Sequence, residues 1–427
     1  MNENPDKPLR QRSFSGLLFF LTLALALRII WIAAVPNQQV ADFKMYDAMA
    51  ASFYRGQGYT DVFGRPSAFK PPGYPLLLAL IYHVFGESPF AAKVLQANLS
   101  TLLCLLVFLL SRRIFGERTA FIALILCAFH PSFIFSVSLL GTEIPFTCLV
   151  VSAVLILCKS KSISSTKQVD FLLAGLAFGA AALMRPMALL APLPLGMWLL
   201  IDWQGWQKSS KALIVFCLAM TLPILPWTIR NYIHFQKFVP ISTNGGCNLF
   251  YGHNPSGEIV WIPFDKLQKI PGFPSKEDWY RWDETRRSSY MRNRAIEYIK
   301  KNPLGLFTRM PQKFYLLMLS PDVPSLYWNI EGLPKSYEAS KSKLSLLASL
   351  NRLFAYGVLI LSLLGIISCR LSDKRSIFIY TLILVWILFH LVYWGKPRFR
   401  YPMVPFLTIF AALPLASLTA SMKRLTD

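Results

Sequence analysis

The side chains of this 427-residue chain best suited to chemistry sit at the borders of long apolar runs. Asp42 and Tyr46 stand four apart in the segment 40–76, VADFKMYDAMAASFYRGQGYTDVFGRPSAFKPPGYPL, so a helix would place both on one face. Lys70 follows in the same segment, directly before Pro71, Pro72 and Gly73, which resist helix and fix the local backbone. An acid and a base held beside a lipid surface suit an enzyme that works on a charged lipid. Asp42 reads either as a loop or helix-capping aspartate or as a general base, which must reach the proton it removes. Asp47 would point elsewhere on the same helix and reads as structural. Glu143, in LLGTEIPF, is either a helix-terminal glutamate favoured by the dipole or the second member of a carboxylate pair with Asp42. Such a pair could bind an acceptor, orient a base or hold a divalent cation. Lys70, Arg185, Arg398 and Arg400 are candidate phosphate binders: arginine suits bidentate contact, lysine acts as a point charge. The alternative for each is snorkelling to headgroups.

The elements that must position these residues are hydrophobic helices. Hydrophobic residues make up 54% of the chain and charged ones 15%, against about a quarter charged in soluble domains. This is the composition of an integral membrane protein. The net charge of +22 resides mainly in short loops between apolar runs, where topology accounts for it, and nucleic acid is not an expected partner. Apolar runs near 14–35, 90–111, 119–138, 141–158, 170–184, 187–201, 211–229, 346–369, 376–394 and 401–420 predict an all-α polytopic protein of about ten transmembrane helices. The runs 170–184 and 187–201 are short, and Arg185-Pro186 between them suggests a broken or tilted pair. The stretch 74–85 reads as an interfacial or re-entrant helix.

With ten spans, the basic loops KPLRQR, SRRIFGER, KSKSISSTK, QKSSK, CRLSDKR and the final KR fall on one side, which the positive-inside tendency makes cytoplasmic, together with both termini. The first loop, the segment 230–345 and GKPRFRYP then share the outer side and can build one site there. Lys70, Arg185, Arg398 and Arg400 oppose the charge rule on that side, as an anionic ligand would require. The run after Lys7, Arg10 and Arg12 reads as an uncleaved signal anchor. Three regions are expected: an N-terminal transmembrane module, 1–229, carrying a helical first outer loop at 37–76; an extracytoplasmic subdomain, 230–345; and C-terminal transmembrane helices, 346–427. An amphipathic helix is predicted over 276–301, ended by Asn302-Pro303. Its aromatic and basic residues suit either a membrane surface or a small outer domain. The seven cysteines have no metal spacing and read as apolar fillers, and the five histidines are scattered. No HExxH, phosphate-binding glycine loop, dinucleotide motif or GxSxG occurs, which weighs against a soluble nucleotide-sugar donor.

Taken together, D-x-x-x-Y (Asp42, Tyr46), KPPGYPLLLAL, LLGTE, ALMRP, LPWTIRNY, NGGCNLFYGHNPSG and PRFRYPMVPFL resemble the GT-C membrane glycosyltransferases, nearly end to end. The branch is that of the protein O-mannosyltransferases (glycosyltransferase family 39), with the lipid A aminoarabinose transferases as relatives. The resemblance implies a polyprenyl-phosphate-linked sugar donor and inverting transfer to an extracytoplasmic acceptor at the plasma membrane. It places Asp42 where the family has its base or essential carboxylate. Lys70 matches the lysine that contacts lipid phosphate, and Glu143 stands where the relatives have a second acid. Tyr46, Arg185, Arg398, Arg400 and Tyr401 fall in the matching motifs as substrate-binding residues. Protein O-mannosyltransferases proper carry two adjacent acids in the first loop, whereas Phe43 follows Asp42 here, a departure that bears on whether the acceptor is a protein. The outer segment also shows no repeat of their β-trefoil domain. The competing expectations are a transporter or flippase of lipid-linked sugar, which would carry charges inside the spans and paired repeats, and a non-catalytic envelope assembly protein.

Overall fold

The computed structural model describes residues 11–61, 63–160, 165–320, 324–334, 341–369 and 373–426. Lys7, Arg10 and parts of the basic loops at 159–167 and 369–375 lie outside the described residues. The chain opens with α1 (Gln11–Ala34), α2 (Ala41–Tyr54) and α3 (Gly73–Phe85). Next come α4 (Pro89–Phe115), α5 (Glu117–Ala128), α6 (Pro131–Phe135), α7 (Glu143–Leu157), α8 (Gln168–Met184), α9 (Pro192–Ile201) and α10 (Trp206–Phe235). A polar region holds α11 (Gly245–Gly252), α12 (Phe264–Leu267), α13 (Lys276–Arg281), α14 (Glu284–Lys301), α15 (Leu304–Thr308), α16 (Met310–Phe314) and α17 (Pro324–Glu331). Three long helices close the chain: α18 (Lys341–Ser368), α19 (Lys374–Val392) and α20 (Val404–Thr426). Among the described residues no strand forms; one isolated bridge joins Thr60 and Pro66.

The protein is an all-α, multi-pass membrane protein. Among the described residues six helices are long and apolar enough to cross a bilayer, and α5 with α6, bent by 51° at His130, makes a seventh if the pair is one span. The expected count of ten is not reached by length: the runs 141–158, 170–184 and 187–201 fold as apolar helices of 10–17 residues. Arg185 and Pro186 end α8, since proline disfavours helix in the residue before it. A 3₁₀ turn over Pro186–Leu190 then leads into α9. The 74–85 stretch is indeed helical. Tyr74, Leu78, Ile81 and Tyr82 of α3 are buried, whereas Leu80, Val84 and Phe85 are exposed.

The helices pack through small residues, as bilayer-spanning helices do where no hydrophobic drive separates protein from lipid. At Gly175 and Gly179 of α8 a Cβ would come within 2.4 Å and 2.3 Å of the Phe216 and Met220 carbonyl oxygens of α10. α10 itself runs six residues past 229, to Phe235, so its last two turns carry Arg230 into the polar side of the molecule. The polar region after α10 has its own core, with Phe250, Ile262, Leu267, Ile270, Trp279, Met291 and Ala295 in it. The helix predicted over 276–301 is two. Ser275 caps α13 by accepting from the Asp278 amide, and Asp283 caps α14 by accepting from the Arg286 amide. Two N-caps eight residues apart compete with one continuous helix, and Trp282 between them is extended. The aromatic face turns inward: Trp279, Trp282 and Tyr290 pack on one another and on Phe273. Tyr280 remains exposed.

Candidate active site

Asp42 is held in place by the loop before it. Asn37 and Gln39 both donate to the Ser138 carbonyl, the Leu140 amide donates to Gln39, and Lys93 of α4 donates to Asn37. These bonds clamp the entry to α2 against the loop before α7. Ala41 absorbs the turn at φ +49°, a left-handed conformation uncommon for alanine. Strain of this kind persists where surrounding contacts over-determine it. Lys70 is fixed by different means. The Tyr59 hydroxyl donates to the Lys70 and Pro71 carbonyls, and Arg230 donates to the Ser67 and Tyr59 carbonyls. Glu284, at the start of α14, accepts from the Ala68 amide, the Ser67 hydroxyl and the Thr243 hydroxyl. α14 thus holds the loop that carries Lys70.

Glu143 opens α7, and Gly141 makes room for it. A Cβ at Gly141 would fall 2.4 Å from Glu143 Oε2 and 2.8 Å from the Phe43 ring. The fold brings five charged side chains from distant parts of the sequence into one alternating series. Lys70 Nζ donates to Asp42 Oδ1 at 2.7 Å, and Arg398 Nη1 donates to Asp42 Oδ2 at 2.9 Å. Arg398 Nε donates to Glu143 Oε1, and Arg185 Nη2 donates to the same oxygen at 2.7 Å. Arg185 Nε also donates to Thr142 at 2.8 Å. Arg398 lies over the Phe43 ring at 4.7 Å, and Lys70 lies 5.6 Å from the Tyr46 ring, distances at which a ring face attracts a cation. Asp42 is the open member, with 41% of its side chain exposed, while the other four are mostly buried.

Burial pushes the Asp42 carboxyl upward, but the charges of Lys70 and Arg398 and their hydrogen bonds outweigh it and hold the group below the usual carboxylate range. Burial presses Lys70 down, and Asp42 more than offsets this, so the ammonium is held more firmly than usual. Lys396 is shifted downward, by burial first. The predicted residues Asp42, Lys70, Glu143, Arg185 and Arg398 therefore meet, with Tyr46 as a flanking ring. Arg400 and Tyr401 stand apart from the ion series: Arg400 donates to the Met318 carbonyl, and both line a cavity that Glu143, Arg398 and Phe43 also border. Asp47 accepts from the Tyr82 hydroxyl, the structural part expected of it.

A divalent cation does not fit this arrangement as it stands. Both carboxylates already receive Arg398, and among the described residues no group of three or more His, Cys, Asp or Glu side chains could hold a metal ion. Phe43, Gly141, Thr142 and Glu284 are residues to which sequence reasoning gave no part in the site. Phe43 carried a signal, as the departure from the two-acid pattern, whereas the other three matter only through contacts made by folding.

A family described as dolichyl-phosphate-mannose-protein mannosyltransferase matches residues 69–227. No curated protein matches the sequence. Among solved structures, the oligosaccharyltransferase of Archaeoglobus fulgidus, complexed with zinc and sulfate, superposes with a TM-score of 0.54 at 17% identity. The match covers 95% of this chain and 49% of that one. The same enzyme, AglB, in complex with an inhibitory peptide and a dolichol-phosphate, gives 0.53 at 16%, covering 97% and 51%. ArnT from Cupriavidus metallidurans bound to undecaprenyl phosphate gives 0.47 at 15%, covering 94% and 78%. The chain has the membrane fold of the archaeal transferase and spans about half its length.

Proposed function

We propose that this chain is a membrane glycosyltransferase that moves a sugar from a polyprenyl-phosphate-linked donor to an extracytoplasmic acceptor. The observation that carries the reading is the alternating series Lys70–Asp42–Arg398–Glu143–Arg185, half open at Asp42, at the border of a cavity. The matched family and the fold of the dolichol-phosphate-bound AglB support it. In the reaction, the acceptor oxygen attacks the anomeric carbon and the carbon–oxygen bond to phosphate breaks. Its electron pair leaves with the lipid phosphate, and the acceptor proton passes to Asp42, giving inversion. Lys70 and Arg398 turn from Asp42 to the phosphate, which stabilises the leaving group and frees the Asp42 oxygens for the acceptor hydroxyl. Glu143 and Arg185 keep Arg398 aimed. No general acid is needed, because phosphate leaves as an anion.

The site faces the extracytoplasmic side of the plasma membrane, with both termini cytoplasmic. Arg112 and Arg113 end α4, Lys208 and Lys211 lie in the first turns of α10, and Lys374 and Arg375 begin α19. These are the helix ends away from the site, as the positive-inside tendency requires. The test is release of polyprenyl phosphate from a panel of lipid-linked sugars by purified protein in lipid, beside Asp42→Asn. Wild-type release with loss of at least about 100-fold in the variant, at unchanged melting temperature, is expected. Near-normal turnover by Asp42→Asn would remove Asp42 from the role of base.

A further inference from the structure

Arg28 of α1 and Lys313 of α16 are fully buried outside the ion series. Arg28 donates to Ser100 at 2.7 Å and to the Ala128 carbonyl at 3.2 Å, two plain acceptors. Lys313 is placed differently, beneath the turn that leads to Arg398. Its Nζ lies 3.1 Å from His253 Nε2 and 3.2 Å from the Val392 carbonyl oxygen, and His253 Nε2 lies 2.6 Å from that same oxygen. His253 is 1% exposed and follows α11, whereas Val392 ends α19, six residues before Arg398. Packing here is close. A Cβ at Gly252 would collide with the Tyr393 carbonyl oxygen and reach 3.2 Å from Lys313 Nζ, and one at Gly395 would collide with the Lys313 carbonyl oxygen. The turn 393–396 therefore rests directly on α11 and α16.

Three polar atoms in one triangle must share their hydrogens. At 2.6 Å from a carbonyl oxygen, Nε2 has to carry the hydrogen, because two lone pairs would otherwise face each other. An Nε2 that donates has no lone pair left for Lys313. A charged Lys313 has three donors and no acceptor, so it sets N–H against N–H; an uncharged amine can turn its lone pair to Nε2–H. His253 accommodates the ammonium only by moving its proton to Nδ1, and Val392 then loses the shorter of its two bonds. Charge on Lys313 and the hold of His253 on the end of α19 thus exclude each other. The titratable and charged groups on the elements around Lys313 are Arg309 and Tyr315 beside α16, Tyr251 on α11, and His390 and Tyr393 at the end of α19. No carboxylate is among them. Burial, then Arg309, presses Lys313 down to about 7, and burial, then Lys313, presses His253 down to about 4. Lys313 thus loses its proton, and the hold forms, as pH rises through neutrality.

We infer that Lys313, His253 and the Val392 carbonyl form a proton-operated joint that positions Arg398, tight when Lys313 is uncharged and loose when it is charged. Arg398 reaches Asp42 and Glu143 from this turn, so play at Val392 passes to the cation that faces the lipid phosphate. For its effect on turnover the joint rests on the transferase reading above. Hydrogen–deuterium exchange of full-length protein in lipid nanodiscs reads it directly. Protection of the 393–400 amides, corrected for the intrinsic pH dependence of exchange, should rise about tenfold from about pH 6 to about pH 8. Two variants should remove this step. Lys313→Met puts no proton in the triangle, and the amide of His253→Gln can accept from Lys313 while it donates to Val392. Unchanged protection in the wild type would overturn the proposal, as would a step that persists in either folded variant. With the lipid-linked donor that turns over, wild-type KM should fall about fivefold across the same interval, and the His253→Gln KM should stay within about twofold. A step in protection with a flat wild-type KM would overturn the assignment to Arg398. If no lipid-linked sugar turns over, the transferase reading fails, and the exchange step alone decides for or against the joint.

Discussion

A carboxylate bound by two cations is a weak base, and Asp42 is bound by Lys70 and Arg398. Its basicity depends on where those cations point. Beside Asp42 they depress its pKa; drawn to the donor, they would let it rise toward the model-peptide value of about 3.9 or above. Removing one should show the same effect permanently. In Lys70→Gln, the acid limb of residual kcat/KM against pH is expected to move to higher pH by about one unit, and an unmoved limb would argue that Asp42 is not the titrating group. For stability the sign is that of a depressed acid. The ion pairs contribute above the unfolded pKa of Asp42 and are lost as pH falls through its lower folded value, so acid weakening of the site belongs below about pH 4. Gly141 gives a second residue-scale prediction. Gly141→Ala forces Glu143 or Phe43 to move and should lower turnover by about tenfold or more. Gly196→Ala, where nothing lies within 4 Å, should leave turnover unchanged.

Among the elements, α14 has a part that its distance from the reacting groups conceals. Glu284 at its N-terminus holds three donors around residues 67–68 and 243, close before Lys70. Burial raises the Glu284 carboxyl above its ordinary value in spite of those bonds, so the folded state penalises its charge and this contribution weakens as pH rises through the folded pKa. Glu284→Ala leaves buried donors unpaired and should cost about 1–3 kcal/mol, read as a lower melting temperature, with a raised KM for the lipid donor. Glu284→Gln, which keeps an acceptor, should recover part of both. The elements also show what could be read from the chain. Apolar runs located the long helices, because burial in lipid demands them. The break at Arg185-Pro186 was visible too, but the span count was not, since the apolar runs alone do not show that helices such as α7 and α8 fall short of spanning length. The split between α13 and α14 turns on two caps whose strength relative to the intervening residues depends on the aromatic core beneath them.

At the scale of the whole molecule, Arg398 ties the C-terminal helices to residues 42 and 143 near the other end of the chain. Removing one member of such a buried series leaves uncompensated charge. Arg398→Leu should therefore destabilise the protein by about 3–5 kcal/mol, measured by thermal unfolding in detergent; a loss under about 1 kcal/mol would mean that the series behaves as a surface pair. That these charges could share one side was legible in the sequence, because the cations stand at apolar borders against the positive-inside tendency. Their order, and the place of Arg400 and Tyr401 on the cavity side, was not, since spacing says nothing of how helices lean.

Arg28 bears on how the chain is made. It sits within α1, where a charge at bilayer depth costs about 2.5–3.5 kcal/mol on insertion scales. Its partners Ser100, Cys104 and Ala128 belong to α4 and α5, which leave the ribosome some seventy to one hundred residues later. Until they arrive, α1 has only its own Ala24 carbonyl to offer this side chain. This span is thus poorly housed in lipid when alone, and it settles only as a late-coming pair of helices closes around it.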